Sequence, residues 1–178
     1  MGDNGKTLGC DMLLVDKFSP EIKLLGKLDE LNCMIGYAIC HLNLLDYKKK
    51  HVLEEIQHQL FDIGSFFFNK KFENCEIILN WIEKHIEIFN KNLLELNSFL
   101  LPNGSKSIVT LHIARTKSRE TERIFWEVWN NMKFNSEKNK NDSKLIGIYL
   151  NRLSDLLFIF IRKKSKKKWI SNKLSKNL

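Results

Sequence analysis

Apolar residues recur at three- and four-residue spacing through five stretches of the chain, a period that predicts five helices. The first stripe is Leu24, Leu28, Leu31, Ile35, Ala38 and Leu42, in a helix from Pro20 to about Leu45 with Ser19 as its cap. A second helix, Lys49 to Asn69, turns Val52, Ile56, Leu60, Ile63 and Phe67 inward. A third, Cys75 to Leu96, turns Ile78, Ile82, Ile86, Phe89 and Leu93 inward. The fourth follows a Pro102-Asn103-Gly104 turn, with Ser105 or Ser107 capping it, and runs to Phe134. Its stripe is Leu111, Ala114, Ser118, Thr121, Phe125 and Val128, and the small middle of that stripe predicts the close approach of another helix. The fifth starts near Ser143 and carries Leu145, Ile148, Leu153, Leu156 and Phe160.

Between these stretches the pattern breaks. Residues 1–17 read as a loop followed by a short extended piece. Gly2, Gly5 and Gly9 let backbone N–H groups turn toward an anion, and Lys6, Thr7 and Lys17 add donors, though the spacing is not that of a P-loop. Residues 135–144, NSEKNKNDSK, are polar and aperiodic and predict a flexible insert.

Composition narrows the class to all-α. The chain is 43% hydrophobic with 2 Pro and 8 Gly, which favours long helices over a turn-rich β fold. Its 178 residues predict a single domain, 1–178. The net charge of +8 calls for an anionic partner or a basic tail, and residues 163–178 hold much of the excess. Cys10, Cys33, Cys40 and Cys75 show neither a CxxC pair nor metal-ligand spacing and read as reduced thiols of an intracellular protein. No run is long and apolar enough to span a membrane, and no secretory or transit pattern opens the chain. Its abrupt polar start predicts a trimmed N-terminus, so an address could have been lost with it.

Candidate chemistry gathers on the fourth helix. Arg115, Arg119, Glu122 and Arg123 share one face at i, i+4, i+7 and i+8. Three guanidiniums held that close call for an anion, and their planar forks suit phosphate or carboxylate. Asp29 lies beside the first buried stripe, either exposed or as the partner of one of these arginines. Phe99, in a short apolar loop before Pro102, packs against the bundle end or a flat ligand. Glu55 and His58 form one Glu-x-x-His pair, but a di-iron bundle needs a second pair and two further glutamates. His41, His51, His85 and His112 read as surface or capping residues.

Three blocks, LLGKLDELNCMIGYA (24–38), LPNGSKSIVTLHIARTKSRETER (101–123) and YLNRLSDLLFIFIR (149–162), together resemble the ATP:cob(I)alamin adenosyltransferases of the propanediol-utilisation type. The opening GDNGKT (2–7) is similar to that family's nucleotide loop, giving residues 1–18 that role. The resemblance implies a five-helix bundle with a four-helix core, assembled as a homotrimer with active sites between subunits. It implies transfer of the 5′-deoxyadenosyl group of ATP to cob(I)alamin with release of triphosphate, aided by Mg²⁺ that no protein side chain holds. Carried over by position, Gly2, Asp3, Gly5, Thr7 and Lys17 wrap ATP, and Arg119, Glu122, Arg123 and Asn151 contact its phosphates or adenosine. Arg115 pairs with Asp29 of a neighbouring subunit. Phe99 and Asp29 face the corrinoid, and Arg119 and Phe99 carry the catalytic roles.

The family reading also implies a reductase, an adenosylcobalamin-dependent acceptor enzyme, and a cytoplasmic or mitochondrial location. The chain departs from the family where the usual Tyr-Thr-Lys-Thr before the GD loop is missing. Glu120 stands in place of a second Arg, and Asn103 replaces the first Gly of Pro-Gly-Gly. Two alternatives follow. One is a degenerate relative that binds ATP or delivers cobalamin without turnover. The other is a basic helical bundle that binds nucleic acid, for which no recognised motif is present.

Overall fold

The computed structural model describes residues 4–9, 13–69, 73–96 and 98–163. Two short strands, β1 (Lys6–Leu8) and β2 (Leu14–Asp16), pair antiparallel with Thr7 opposite Val15. The described part of residues 1–17 therefore holds two paired strands where the sequence predicts a loop and one extended piece. Five helices follow among the described residues: α1 (Pro20–Cys40), α2 (Tyr47–Asn69), α3 (Cys75–Asn90), α4 (Lys106–Asn131) and α5 (Glu137–Arg162). None is long and apolar enough to cross a membrane.

Local chemistry sets the boundaries. Ser19 accepts a hydrogen bond from Ile22 N at 3.4 Å, and Pro20 sits where a missing N–H costs nothing. α1 stops at Cys40, short of the expected Leu45, and a 3₁₀ turn at Leu44–Asp46 leads into α2. α3 ends at Asn90 rather than Leu96. α5 begins six residues before Ser143, so most of the predicted insert at 135–144 is helix. Ser136 caps it by accepting from Asn139 N at 3.1 Å, and buried Ser143 accepts from the Trp129 indole N–H at 3.0 Å. Ser105 holds the N-cap position of α4, but its hydroxyl meets Ser107 Oγ at 2.9 Å instead of a helix amide.

α4 packs between α1 and α5, α2 packs on α1 and α3 along α5, and all five helices contribute buried side chains to the core. The small stripe of α4 does what its size allows. Ser118 Oγ donates to Leu150 O of α5 at 2.9 Å, and Thr121 Oγ1 lies 3.3 Å from Lys27 O of α1. The Ser118 bond satisfies a buried hydroxyl across the two helices, whereas Thr121 Oγ1 also donates to Lys117 O of its own helix at 2.9 Å, so its contact with Lys27 O marks a close approach. Gly147 marks the tightest approach of α5 to α4, since a Cβ there would stand 2.6 Å from Phe125 Cε1 and closer still to the Trp126 ring. Tyr149 is fully buried and donates to Gln59 Oε1 of α2 at 2.8 Å. Lys49, also buried, donates to Phe160 O at 3.2 Å near the end of α5.

Candidate active site

The N-terminal hairpin brings Gly5, Thr7 and Lys17 together. Gly5 adopts φ +67°, a left-handed conformation that suits glycine, and its carbonyl accepts from Lys17 N at 2.9 Å. Lys6 pairs with Asp16 across the strands at 2.5 Å, which fixes the register and leaves Thr7 on the other face. Gly2 and Asp3 lie outside the described residues, as do Cys10 and residues 164–178 of the basic tail.

On α4 the arginine face is present as the spacing predicts, but its members differ. Arg119 and Arg123 are exposed. Arg115 is half-buried against α5, its guanidinium 5.8 Å from the Phe158 ring centre, with its Nε buried and unpaired. Burial, and then the charge of Arg119, lower the Arg115 pKa from its ordinary value. Glu122 meets α5, where Asn151 Nδ2 lies 3.2 and 3.4 Å from its two oxygens. Glu122 and Asn151 thus meet across the α4–α5 seam, and Arg119 and Arg123 lie exposed on the same helix as Glu122.

Asp29 is exposed on α1 and lies on a different side of the bundle. It lines a cavity of about 450 Å³ between α1 and α2 with Leu25, Leu28, Asn32, Leu60, Phe61, Gly64 and Ser65. No ion pair joins Asp29 to Arg115 within one chain among the described residues. Phe99 is 78% exposed in the α3–α4 loop, ahead of a turn closed by Asn103 N donating to Leu101 O at 2.7 Å. Among the described residues no three His, Cys, Asp or Glu side chains converge as a metal site.

Three features were missed by sequence reasoning. Lys27, Glu30, Lys117 and Glu120 close a ring of alternating charge between α1 and α4. Lys27 meets Glu30 at 2.8 Å and Glu120 at 2.9 Å, and Lys117 meets Glu30 at 2.5 Å and Glu120 at 3.2 Å. Glu120, the residue that departs from the family pattern, is thereby committed to the helix–helix contact. His112 is buried rather than on the surface, with Nε2 unpartnered and its pKa lowered by burial and by Arg115. Asn32 is buried as well and clasps Gln57 of α2. The i,i+3 spacing of Lys27–Glu30 and Lys117–Glu120 was visible, but the adjacency of α1 and α4 was not.

A family profile described as cobalamin adenosyltransferase matches residues 1–164. A corrinoid adenosyltransferase of Mycobacterium leprae is 36% identical over 173 residues, covering 90% of this chain and 86% of that protein. One from Bacillus subtilis is 34% identical over 167 residues, covering 90% and 82%. Among solved structures, a variant PduO-type ATP:corrinoid adenosyltransferase from Lactobacillus reuteri complexed with cobalamin and ATP superposes with a TM-score of 0.81 at 26% identity. It covers 96% of this chain and 97% of that one. A second variant of that enzyme, complexed with ATP, gives 0.78 at 30% identity, covering 91% and 90%.

Proposed function

The chain belongs to the cobalamin adenosyltransferase family, and from that premise we propose that it moves the 5′-deoxyadenosyl group of ATP onto cob(I)alamin. The observation that carries this reading is the α4–α5 seam, where exposed Arg119 and Arg123 flank a Glu122–Asn151 pair. The guanidiniums suit a triphosphate, while the carboxylate and amide suit the hydroxyls and base of adenosine.

The electrons balance without a protein nucleophile. The Co(I) lone pair attacks C5′, the C5′–O bond breaks, and triphosphate departs with that bond's electron pair, leaving cobalt formally two electrons oxidised. The protein's tasks are alignment and stabilisation of the leaving charge. Arg119, Lys17 and the hairpin N–H groups supply positive potential, with Mg²⁺ carried by the phosphates themselves. Phe99 offers the corrinoid an apolar wall that excludes water and a lower axial ligand, which eases formation of Co(I). A reductase would supply the electrons and an adenosylcobalamin-dependent enzyme would take the product.

The working site is assembled between copies of a homotrimer, with Asp29 of one copy meeting Arg115 of the next. The buried Arg115 Nε supports this, because it has no hydrogen-bond partner among the described residues.

The test is anaerobic reaction of the protein with ATP, Mg²⁺ and chemically reduced cob(I)alamin, followed by loss of the Co(I) spectrum. A light-sensitive adenosyl product is expected. Binding of both substrates without product would instead mark a relative that binds or delivers cobalamin without turnover.

A further inference from the structure

The turn between α1 and α2 carries an exposed apolar tip. Leu44 and Leu45, in the 3₁₀ turn Leu44–Asp46, are each 93% exposed, and Tyr47 is 65% exposed. Single leucines on a surface are ordinary, but an adjacent pair turned wholly to water at the apex of a turn marks a contact. The foot of the tip is cationic. Lys48 is exposed, with its ammonium 5.9 Å from the Tyr47 ring centre, and Lys50 is half-buried. Asp46, the acidic residue of the turn, is buried and meets Lys49 at 3.8 Å.

The position of this tip in the bundle is fixed by Lys49. Its ammonium donates to Phe160 O and stands 5.4 Å from the Phe160 ring centre, which ties the start of α2 to the last turn of α5. α5 ends at Arg162, and Lys163 after it is exposed. The sequence from there on, KKSKKKWISNKLSKNL (163–178), holds seven lysines and no acidic residue. The leucine tip and the root of the lysine run therefore share one end of the bundle. Arg162 also donates to Leu94 O in the α3–α4 loop, and Leu94 is 89% exposed, so a third leucine borders the same end. Glu95 beside it is acidic, and the positive charge comes from the other two segments.

We propose that this end of the bundle docks on an anionic lipid surface, with Leu44 and Leu45 entering the headgroup layer and the lysines of 163–178 facing the lipid phosphates. Either signal alone is weak. Two leucines anchor only shallowly, and lysine attraction is screened by salt, so attachment takes both. A nucleic acid would engage the lysines but has no use for the leucine pair. An acidic protein site would call for donors in a fixed geometry, whereas lysines broken only by Ser165 over 163–168 supply point charge on flexible stems, which suits a fluid surface. The proposal stands apart from the reading of the active site, since none of these residues is placed at ATP or the corrinoid.

The test is co-sedimentation of the full chain with vesicles of phosphatidylcholine alone or mixed with phosphatidylglycerol. Binding to the mixed vesicles and not to the neutral ones is expected, and added salt should weaken it. The double variant Leu44→Ser/Leu45→Ser should bind the mixed vesicles about tenfold or more weakly. Replacing Lys163, Lys164, Lys166, Lys167 and Lys168 with Gln should cost about a hundredfold or more. Both variants should keep the wild-type Tm and the wild-type sedimentation coefficient, which separates lost docking from lost folding.

A wild-type protein that ignores the anionic vesicles overturns the proposal. So does a serine variant that binds them as well as wild type, because the lysines would then act as a plain polycation of the kind duplex DNA attracts. A serine variant whose sedimentation changes would assign the tip to an interface between copies of the chain and also overturn it.

Discussion

Asn151 donates its amide to Glu122 across the α4–α5 seam, at 3.2 Å from one carboxylate oxygen and 3.4 Å from the other. This bond engages the Glu122 carboxylate from α5, while Arg119 and Arg123 on the same helix are exposed and open to phosphate. Asn151→Asp sets two carboxylates against each other, and their repulsion competes with the incoming anion. ATP affinity should fall about tenfold or more, measured by isothermal titration, while the thermal transition barely moves. Unchanged affinity would remove Asn151 from the nucleotide site.

Arg119 and Phe99 should fail in different ways. Arg119→Ala removes a donor that stabilises the departing triphosphate, a loss on the order of 3 kcal/mol or a hundredfold in rate, with a raised KM for ATP. Phe99→Ala should keep ATP binding and lose alkylation when cobalt is reduced enzymatically. The two variants are compared by ATP titration beside turnover with chemical and enzymatic reductants. Equal turnover of Phe99→Ala and wild type would exclude its role against the lower ligand.

What the sequence made legible was the buried half of each helix. Leu24, Ile35, Phe125 and Leu153 recur at helical spacing and are fully buried, because apolar burial leaves a period. Polar anchors leave none. The start of α5 read as a flexible insert, since its support is the Ser136 cap and one Ser143–Trp129 hydrogen bond. His112 read as a surface or capping residue, and its burial left no mark because a single histidine adds nothing to the apolar period. Only family resemblance put Glu122 and Asn151 in one site, and their direct hydrogen bond was not foreseen, as 29 residues and a turn separate them. The charge ring needed the adjacency of α1 and α4, which no local spacing encodes.

That ring predicts a two-sided pH profile. Hydrogen bonds from Lys117 and Lys27 hold the Glu30 carboxyl below its ordinary range, and Lys27 and Lys117 do the same to Glu120. Both lysines are raised in return. A depressed carboxyl contributes stability above its unfolded pKa and loses it as pH falls through the folded one. A raised lysine contributes below its unfolded pKa and loses it as pH rises through the folded one. The contribution is therefore complete near neutrality and declines at both extremes. Thermal melts from pH 3 to 7 should show a shallower acid limb for Glu120→Gln than for wild type, and added salt should narrow the difference.

Gly147 tests the packing that positions the site. Its missing Cβ is what lets α5 close on Phe125 and Trp126, with Asn151 one turn further on. Gly147→Ala should destabilise by about 1–3 kcal/mol despite the better helix propensity of alanine. Tm should drop by several degrees. A neutral or higher Tm would mean that α4 and α5 separate freely.

Asp29 and Arg115 provide the sharpest test of assembly. Within one chain Asp29 lines the α1–α2 cavity, while Arg115 stacks on Phe158 at the α4–α5 seam. Each loses its proposed partner if the chain acts alone. Arg115 carries the larger penalty, because its Nε is already buried. Asp29→Arg and Arg115→Asp should each weaken association and abolish corrinoid alkylation, measured by sedimentation velocity and the anaerobic assay. Neither variant rebuilds an interface by itself, since each copy then presents two like charges. The double reversal restores opposite charges across every interface and should recover trimer and part of the activity. A double variant no better than the singles, or single variants that remain trimeric and active, would rule out this pair as the link between copies.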